Sequence, residues 1–278
     1  MQPLNDMEVG VMFWAGLNPH ETLVELKSWG MRCGQLGVPG DMALDCAAAW
    51  KEALDDEGFT VVTVFAAYPG ESYANIRAVQ RTVGFVPPAT RAAREARTLA
   101  VSDFAAELGV PSIATHIGYV PEDPSSESYQ AVCEMVRRVC DRAAENNQTF
   151  ALETGQESAP VLLDFLLATG RANLRINFDP ANMILYGTGD PITALDILAP
   201  YVVSVHCKDG DWPSKHSSGA LGEEKPLGRG SVGMQRFIAK LKEIGYTGPL
   251  NIEREASDPE QRRQDIAMAA ALLRRLTA

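Results

Sequence analysis

Thr149-Phe-Ala-Leu-Glu153, Leu174-Arg-Ile-Asn-Phe-Asp179, Val202-Val-Ser-Val-His206 and Leu250-Asn-Ile-Glu253 are four short, largely apolar runs, each ending in a residue able to bind a hard metal ion. The runs have strand composition, and polar or Gly/Pro-containing sequence and then a helical stretch follow each one. In a parallel α/β barrel the C-terminal ends of the strands carry the active site. That is where Glu153, Asp179, His206 and Glu253 stand.

Strand side chains alternate between faces. On this rule Glu153 shares a face with Ala151, and Asp179 with Asn177. His206 falls with Ser204 and Lys208, and Glu253 with Asn251 and Glu255. The opposite faces hold Phe150, Leu152, Ile176, Phe178, Val203, Val205, Cys207, Leu250 and Ile252. A barrel with an apolar side toward its helices and a polar interior mouth gives this pattern. Arg254 falls on the helix side.

Outward from these runs, strand-like and helix-like segments alternate along the whole chain. Strands are expected at 8–14, 31–38, 59–68, 112–119, 149–153, 174–179, 202–206 and 250–253. Helices are expected near 20–29, 41–57, 88–108, 126–147, 159–169, 191–199, 232–244 and 259–276. Asn18-Pro19, Asp190-Pro191 and Asp258-Pro259 each place a capping residue before a proline suited to the first helical turn. Gly30, Gly58, Gly109, Gly170 and Gly245 follow apolar-periodic runs, where helices stop. Helical crossovers between successive strands imply parallel pairing. Eight such units favour a closed (β/α)8 TIM barrel over an open sheet. No linker, low-complexity tract or charge block interrupts the chain, so residues 1–278 are expected to form a single domain.

With 46% hydrophobic residues the 278-residue chain can bury a large core, and its net charge of −11 opposes a nucleic-acid partner. Cys33, Cys46, Cys133, Cys140 and Cys207 form an odd set without a CxxC spacing and read as reduced, buried thiols. No signal-peptide pattern opens the chain, and no apolar stretch reaches the ~18 residues of a membrane span. A soluble, cytoplasmic protein with no membrane partner is the expectation; a homo-oligomer is compatible with the sequence.

Three carboxylates and an imidazole without thiolates suit one hard divalent cation. The histidine favours Mn²⁺, with Mg²⁺, Co²⁺ or Zn²⁺ as alternatives. Such an ion, chelated by a carbonyl and the adjacent hydroxyl of a small polar substrate, stabilises an enediolate. Glu153 and Glu253 come from different strands and can address opposite faces of that substrate. Proton removal by one and return by the other inverts a centre; return to the neighbouring carbon interconverts aldose and ketose. His116, Lys208, Arg229, Gln35 and Trp14 are the candidate substrate contacts, Gln35 and Trp14 as pocket-lining residues at early strand ends. The long loops 69–87 and 207–231 lie on the same end as the ligand set and suit a lid. Gly228-Arg-Gly-Ser-Val-Gly233 matches a dinucleotide fingerprint, but it follows a polar loop rather than a first strand. A phosphate or hydroxyl site at the start of the seventh helix is the better expectation there.

The segments Ala-Leu-Glu-Thr-Gly at 151–155, Asn-Phe-Asp-Pro-Ala-Asn-Met at 177–183 and Val-His-Cys-Lys-Asp at 205–209 resemble the xylose-isomerase-like barrel superfamily of sugar isomerases and epimerases. So do Pro-Leu-Gly-Arg-Gly-Ser-Val at 226–232 and Gly-Tyr-Thr-Gly-Pro-Leu-Asn-Ile-Glu-Arg-Glu at 245–255, and the resemblance covers essentially the whole chain. Ketose 3-epimerases and the inosose and hydroxypyruvate isomerase-like members look most similar. The resemblance implies that Glu153, Asp179, His206 and Glu253 bind one metal ion and that the two glutamates are the acid/base pair. It also implies a small sugar or sugar derivative as substrate. In ketose 3-epimerases a histidine commonly follows the aspartate by three residues; here that position is Asn182.

The superfamily's DNA-cleaving branch needs more histidines than His20, His116, His206 and His216. A metal-dependent lyase acting on an oxidised sugar or glycoside is the main alternative, since it uses the same metal and enolate chemistry. A barrel that only binds sugar would not need both glutamates.

Overall fold

The computed structural model describes residues 4–216 and 219–278. Eight parallel strands close a barrel: β1 (Val9–Trp14), β2 (Cys33–Val38), β3 (Thr60–Ala66), β4 (Ser112–Thr115), β5 (Thr149–Glu153), β6 (Leu174–Phe178), β7 (Val202–Cys207) and β10 (Leu250–Ile252). Closure comes from β1 pairing with β10, Val9 opposite Leu250. The TIM barrel expected from the alternating units is therefore the fold.

The helices that flank these strands form as their end signals dictate. In α1 (Pro19–Ser28), α8 (Pro191–Leu198) and α10 (Pro259–Thr277) the preceding Asn18, Asp190 and Asp258 side chains accept from backbone N–H groups of the first turn. Left-handed glycines end α2 (Ala47–Glu57) at Gly58 and α6 (Ala159–Thr169) at Gly170, among others. The expectation for α2 began six residues early, because the turn-rich 41–46 segment does not continue the helix. α4 (Pro88–Glu107), α5 (Glu127–Glu145) and α9 (Met234–Glu243) complete the outer ring. The main core lies between this ring and the barrel wall, around Trp50, Phe59, Phe104, Phe150, Phe165, Phe178 and Phe237.

Three features lie inside stretches read only as loop or strand end. α3 (Ile76–Thr82) sits within the 69–87 loop, capped by Asn75. α7 (Pro180–Tyr186) starts directly at the end of β6, capped by Asp179. A two-stranded antiparallel hairpin, β8 (Asp209–Asp211) with β9 (Glu223–Lys225), occupies the 207–231 loop, of which 217–218 lie outside the described residues.

Within the four strands that carry the candidate ligands, the alternation rule fails at one position. β6 pairs Ile176 with Val202 but Asn177 with Ser204, so Val203 is an extra residue in β7. This bulge turns Val203 inward against Phe65, Ala114 and Ala151 instead of toward the helices. Ser204 and His206 still share the interior face that the simple alternation assigns them.

Candidate metal centre

Each strand end places its ligand differently, and Asp179 shows why. As N-cap of α7 its Oδ1 accepts from the backbone N–H groups of Ala181 (2.8 Å) and Asn182 (3.0 Å). The cap fixes the carboxylate and leaves Oδ2, fully buried, without a hydrogen bond. Glu153 ends β5, and Glu253 follows β10 with its backbone N–H bonded to Cys207 O at 3.2 Å. His206 Nδ1 lies 2.9 Å from Glu153 Oε1, 2.9 Å from Glu253 Oε2 and 3.5 Å from Asp179 Oδ2. One donor atom from each of the four residues falls within 4.8 Å of all the others.

The tautomer of His206 follows from what lies beneath it. Nε2 is 2.7 Å from the amide oxygen of Gln35, which only accepts, so Nε2 carries a proton and Nδ1, among the carboxylates, is the nitrogen whose proton a metal ion would displace. Gln35 is held in that orientation because its Nε2 donates to Asn177 Oδ1 at 2.9 Å. Asn177 Oδ1 also accepts from Ser204 Oγ at 2.5 Å. All three supporting side chains are buried.

This cluster fits a divalent cation. Two buried carboxylates and the half-buried Glu253 converge on one imidazole nitrogen, and the buried Asp179 Oδ2 has no hydrogen-bond partner. Buried unpaired anionic oxygens are costly unless a positive charge meets them. The protonation equilibria carry the same demand. Burial alone would lower His206, but the charges of Glu253 and Glu153 raise it well above the usual histidine range. Burial would raise Glu153, yet His116 and His206 outweigh it and hold the carboxyl low. Burial raises Asp179, with neighbouring Glu253 and Glu153 adding to the rise.

A cavity of about 690 Å³ opens above the cluster, lined at its floor by Glu153, His206, Glu253, His116 and Lys208. His116 Nε2 lies 2.9 Å from Glu153 Oε2, and its Nδ1 is 3.3 Å from Gln156 Nε2. Lys208, buried, reaches Glu255 Oε1 at 2.8 Å and Glu253 Oε2 at 3.4 Å. Asn182 also lines the cavity and donates to Glu153 Oε1 at 3.1 Å. The two long loops form the roof and are tied together where Ile76 N–H donates to Gly219 O at 3.1 Å.

Two candidate contacts lie elsewhere. Gln35 does not line the cavity; both ends of its amide are used below His206. Arg229 is exposed outside the lining. Trp14 does line the cavity, half-exposed at its mouth. Arg254 points to the helix side, donating to Asp265 of α10 at 2.8 Å. Glu71 and Tyr73 from the loop before α3, Leu185 and Tyr186 from α7 and Leu221 from the segment before β9 join the lining, and no strand-end rule could have found them.

The phosphate or hydroxyl site expected before α9 is overturned by a buried carboxylate. Asp209 accepts from the N–H groups of Gly210 (2.9 Å), Gly228 (2.9 Å), Gly230 (3.0 Å) and Val232 (3.1 Å). The glycine-rich amides that would cradle an anion already hold one from the chain itself. Gly230 has to be glycine, since a Cβ there would stand 2.4 Å from Asp209 Oδ1.

A family profile described as xylose isomerase-like TIM barrel matches residues 23–276, and the chain belongs to that family. No curated protein matches the chain. Among solved structures, a xylose isomerase domain protein from Planctomyces limnophilus is 43% identical, with a TM-score of 0.92 over 98% of this chain and 97% of that one. The fold is shared at 16% identity with a 3-keto-D-glucoside 4-epimerase from E. coli, TM-score 0.70 over 97% and 99% of the two chains. A D-psicose 3-epimerase solved with D-fructose is also 16% identical, with a TM-score of 0.69 over 97% and 99%.

Proposed function

We propose that this protein is a divalent-metal-dependent sugar isomerase or epimerase, acting in the cytoplasm as a single TIM-barrel domain. The observation that carries this reading is the placement of two glutamates from different strands. Glu153 and Glu253 each lie 2.9 Å from the same His206 nitrogen, at the floor of one cavity. Five free cysteines accord with a reducing compartment, and no described helix is long and apolar enough to cross a membrane.

Glu153, Asp179, His206 and Glu253 would hold the ion, and oxygen-rich ligation with one imidazole favours Mn²⁺. A bound divalent ion supplies Lewis-acid polarisation of a substrate carbonyl. The protein's own groups carry the proton. One glutamate removes it from the carbon beside the carbonyl, giving an enediolate, and the other returns it from the opposite face, which inverts the centre. His116 and Asn182, both bonded to Glu153, steady one member of the pair. Lys208, beside Glu253, steadies the other and is placed to meet a substrate hydroxyl.

The test is solvent-deuterium uptake by a panel of ketoses and aldoses with the manganese-loaded protein. Incorporation at the carbon beside the carbonyl is expected. Glu153→Gln and Glu253→Gln should each lower it by about 10²–10⁴-fold with an unchanged circular dichroism spectrum. Retained exchange in either variant removes that residue from the acid/base pair.

A further inference from the structure

Glu71 is a carboxylate of the cavity wall that stands outside the ligand cluster, in the loop between β3 and α3. Its side chain is 9% exposed. Oε1 accepts from Gly84 N–H at 2.8 Å and lies 3.8 Å from Arg94 Nη1. Neither Gly84 nor Arg94 lines the cavity, so this oxygen faces the wall. Oε2 meets the hydroxyl of Tyr73, which does line the cavity, at 3.4 Å. That separation is beyond the usual range of an O–H···O hydrogen bond. A carboxylate oxygen can accept two hydrogen bonds, so Oε2 keeps room for a closer donor from the cavity.

Tying the loop down does not explain a charge at this position. A neutral amide would accept from Gly84 N–H without the cost of burying a carboxylate. Arg94 offsets that cost weakly, because its Nη1 donates to Gly84 O and its Nη2 to Thr82 O at 2.6 Å. Burial accordingly raises the Glu71 carboxyl in spite of the Gly84 amide and the Arg94 charge. The Tyr73 ring centre is 5.7 Å from that of His116, whose Nε2 lies 2.9 Å from Glu153 Oε2. Glu71 and Tyr73 therefore face a part of a bound molecule other than the part chelated at the ligand cluster.

We propose that Glu71 is a specificity-determining residue: its Oε2 accepts a hydrogen bond from the substrate hydroxyl at the end remote from the carbonyl, and its charge rejects a phosphate there. This rests on the metal-dependent sugar reading above and narrows it to sugars that carry a free hydroxyl at that end. A buried acceptor discriminates sharply, because a molecule lacking the hydroxyl leaves it unpaired and an anionic one adds like-charge repulsion. The loop before α9 agrees with this selectivity, since Asp209 already occupies the amides of Gly228 and Gly230 that a phosphate would need.

Calorimetric titration of the manganese-loaded protein with D-fructose and D-glucose, and with the 6-deoxy and 6-phosphate forms of each, tests the assignment. The parent sugar that binds tighter is expected to exceed its own 6-deoxy and 6-phosphate forms by about tenfold or more. Glu71→Gln keeps an acceptor for Gly84 N–H and should narrow both gaps to within about threefold, with manganese content unchanged by elemental analysis. Tyr73→Phe leaves the carboxylate on its anchor and should preserve both gaps. A wild-type protein that binds the parent sugar and its 6-phosphate equally overturns the assignment and leaves the sugar isomerase reading standing. So does a Glu71→Gln variant that weakens every ligand alike, which is what a loop staple alone would do. Gaps lost in Tyr73→Phe but kept in Glu71→Gln overturn it too, moving the selectivity to the phenol. Binding of neither parent sugar sinks both readings.

Discussion

Asp179 and Asp209 are both aspartates just past a barrel strand, both buried, and both receive backbone N–H groups from the residues that follow. Asp209 is satisfied completely: four amides meet its two oxygens. Asp179 is satisfied on one side only, its Oδ1 capping α7 and its Oδ2 bare beside two glutamates and an imidazole. Burial and residue type are shared, so neither separates a structural carboxylate from one placed to hold a cation. Unmet demand for positive charge separates them.

That difference predicts opposite phenotypes, and these are the largest effects on stability and metal binding. Asp209→Ala removes the anion from a ring of buried amides, at about 1–3 kcal/mol for each donor left unsatisfied. A fall in Tm of roughly 10 °C or more is expected by calorimetry, with metal content per folded molecule preserved. Asp179→Asn keeps a good N-cap and removes a crowded charge. Its metal-free Tm should hold or rise while bound manganese, measured by elemental analysis, falls to background. If Asp209→Ala proves harmless, or Asp179→Asn unfolds the protein, the distinction between the two sites collapses.

Glu157 sharpens the comparison because it is a buried carboxylate with a single partner, Val120 N–H at 2.7 Å. Burial pushes it up from an ordinary 4.5 to about 7. The protonated acid is therefore favoured in the folded state. Its contribution is fully present below about 4.5 and is lost as pH rises through about 7. Over that window the loss is at most roughly 3 kcal/mol. Glu157→Gln, neutral throughout, should flatten the stability profile between these limits in urea titrations read at successive pH values. An unchanged slope would show that Glu157 is ionised throughout that window.

Much of this architecture was legible in the chain. Alternating strand and helix patterns specified the barrel, because apolar periodicity and Asn-Pro or Asp-Pro caps are local signals. The cluster of Glu153, Asp179, His206 and Glu253 was legible because its members end strands, and a parallel barrel brings strand ends together. What escaped depends on contacts between distant residues. The Gly228–Gly233 loop is written for an anion, yet the sequence does not say that Asp209 already fills it. Asp179-Pro180 carries the same cap signal as Asp190-Pro191, but reading Asp179 as a strand terminus hid its second role and the helix it starts. The Val203 bulge leaves no trace in a run of valines. Gln35 at an early strand end suggested a cavity wall; only the closed barrel carries it under His206, 171 residues away.

Gln35 gives the smallest effect and the finest test of what makes a ligand site. The amide oxygen fixes the proton on His206 Nε2, and without it the imidazole is free to place its proton on Nδ1, facing the carboxylates. Gln35→Leu should therefore weaken manganese binding by about 10–100-fold, the usual scale for losing such a partner. Gln35→Glu restores an acceptor for Nε2–H but loses the donor to Asn177 Oδ1, so it should recover part of that affinity. Nitrogen chemical shifts of His206 in the zinc-loaded protein report the tautomer directly. A Gln35→Leu variant with wild-type affinity and an unmoved Nε2–H signal would mean that Asn177 and the carboxylates orient the ring unaided. The amide beneath would then be packing rather than part of the metal centre.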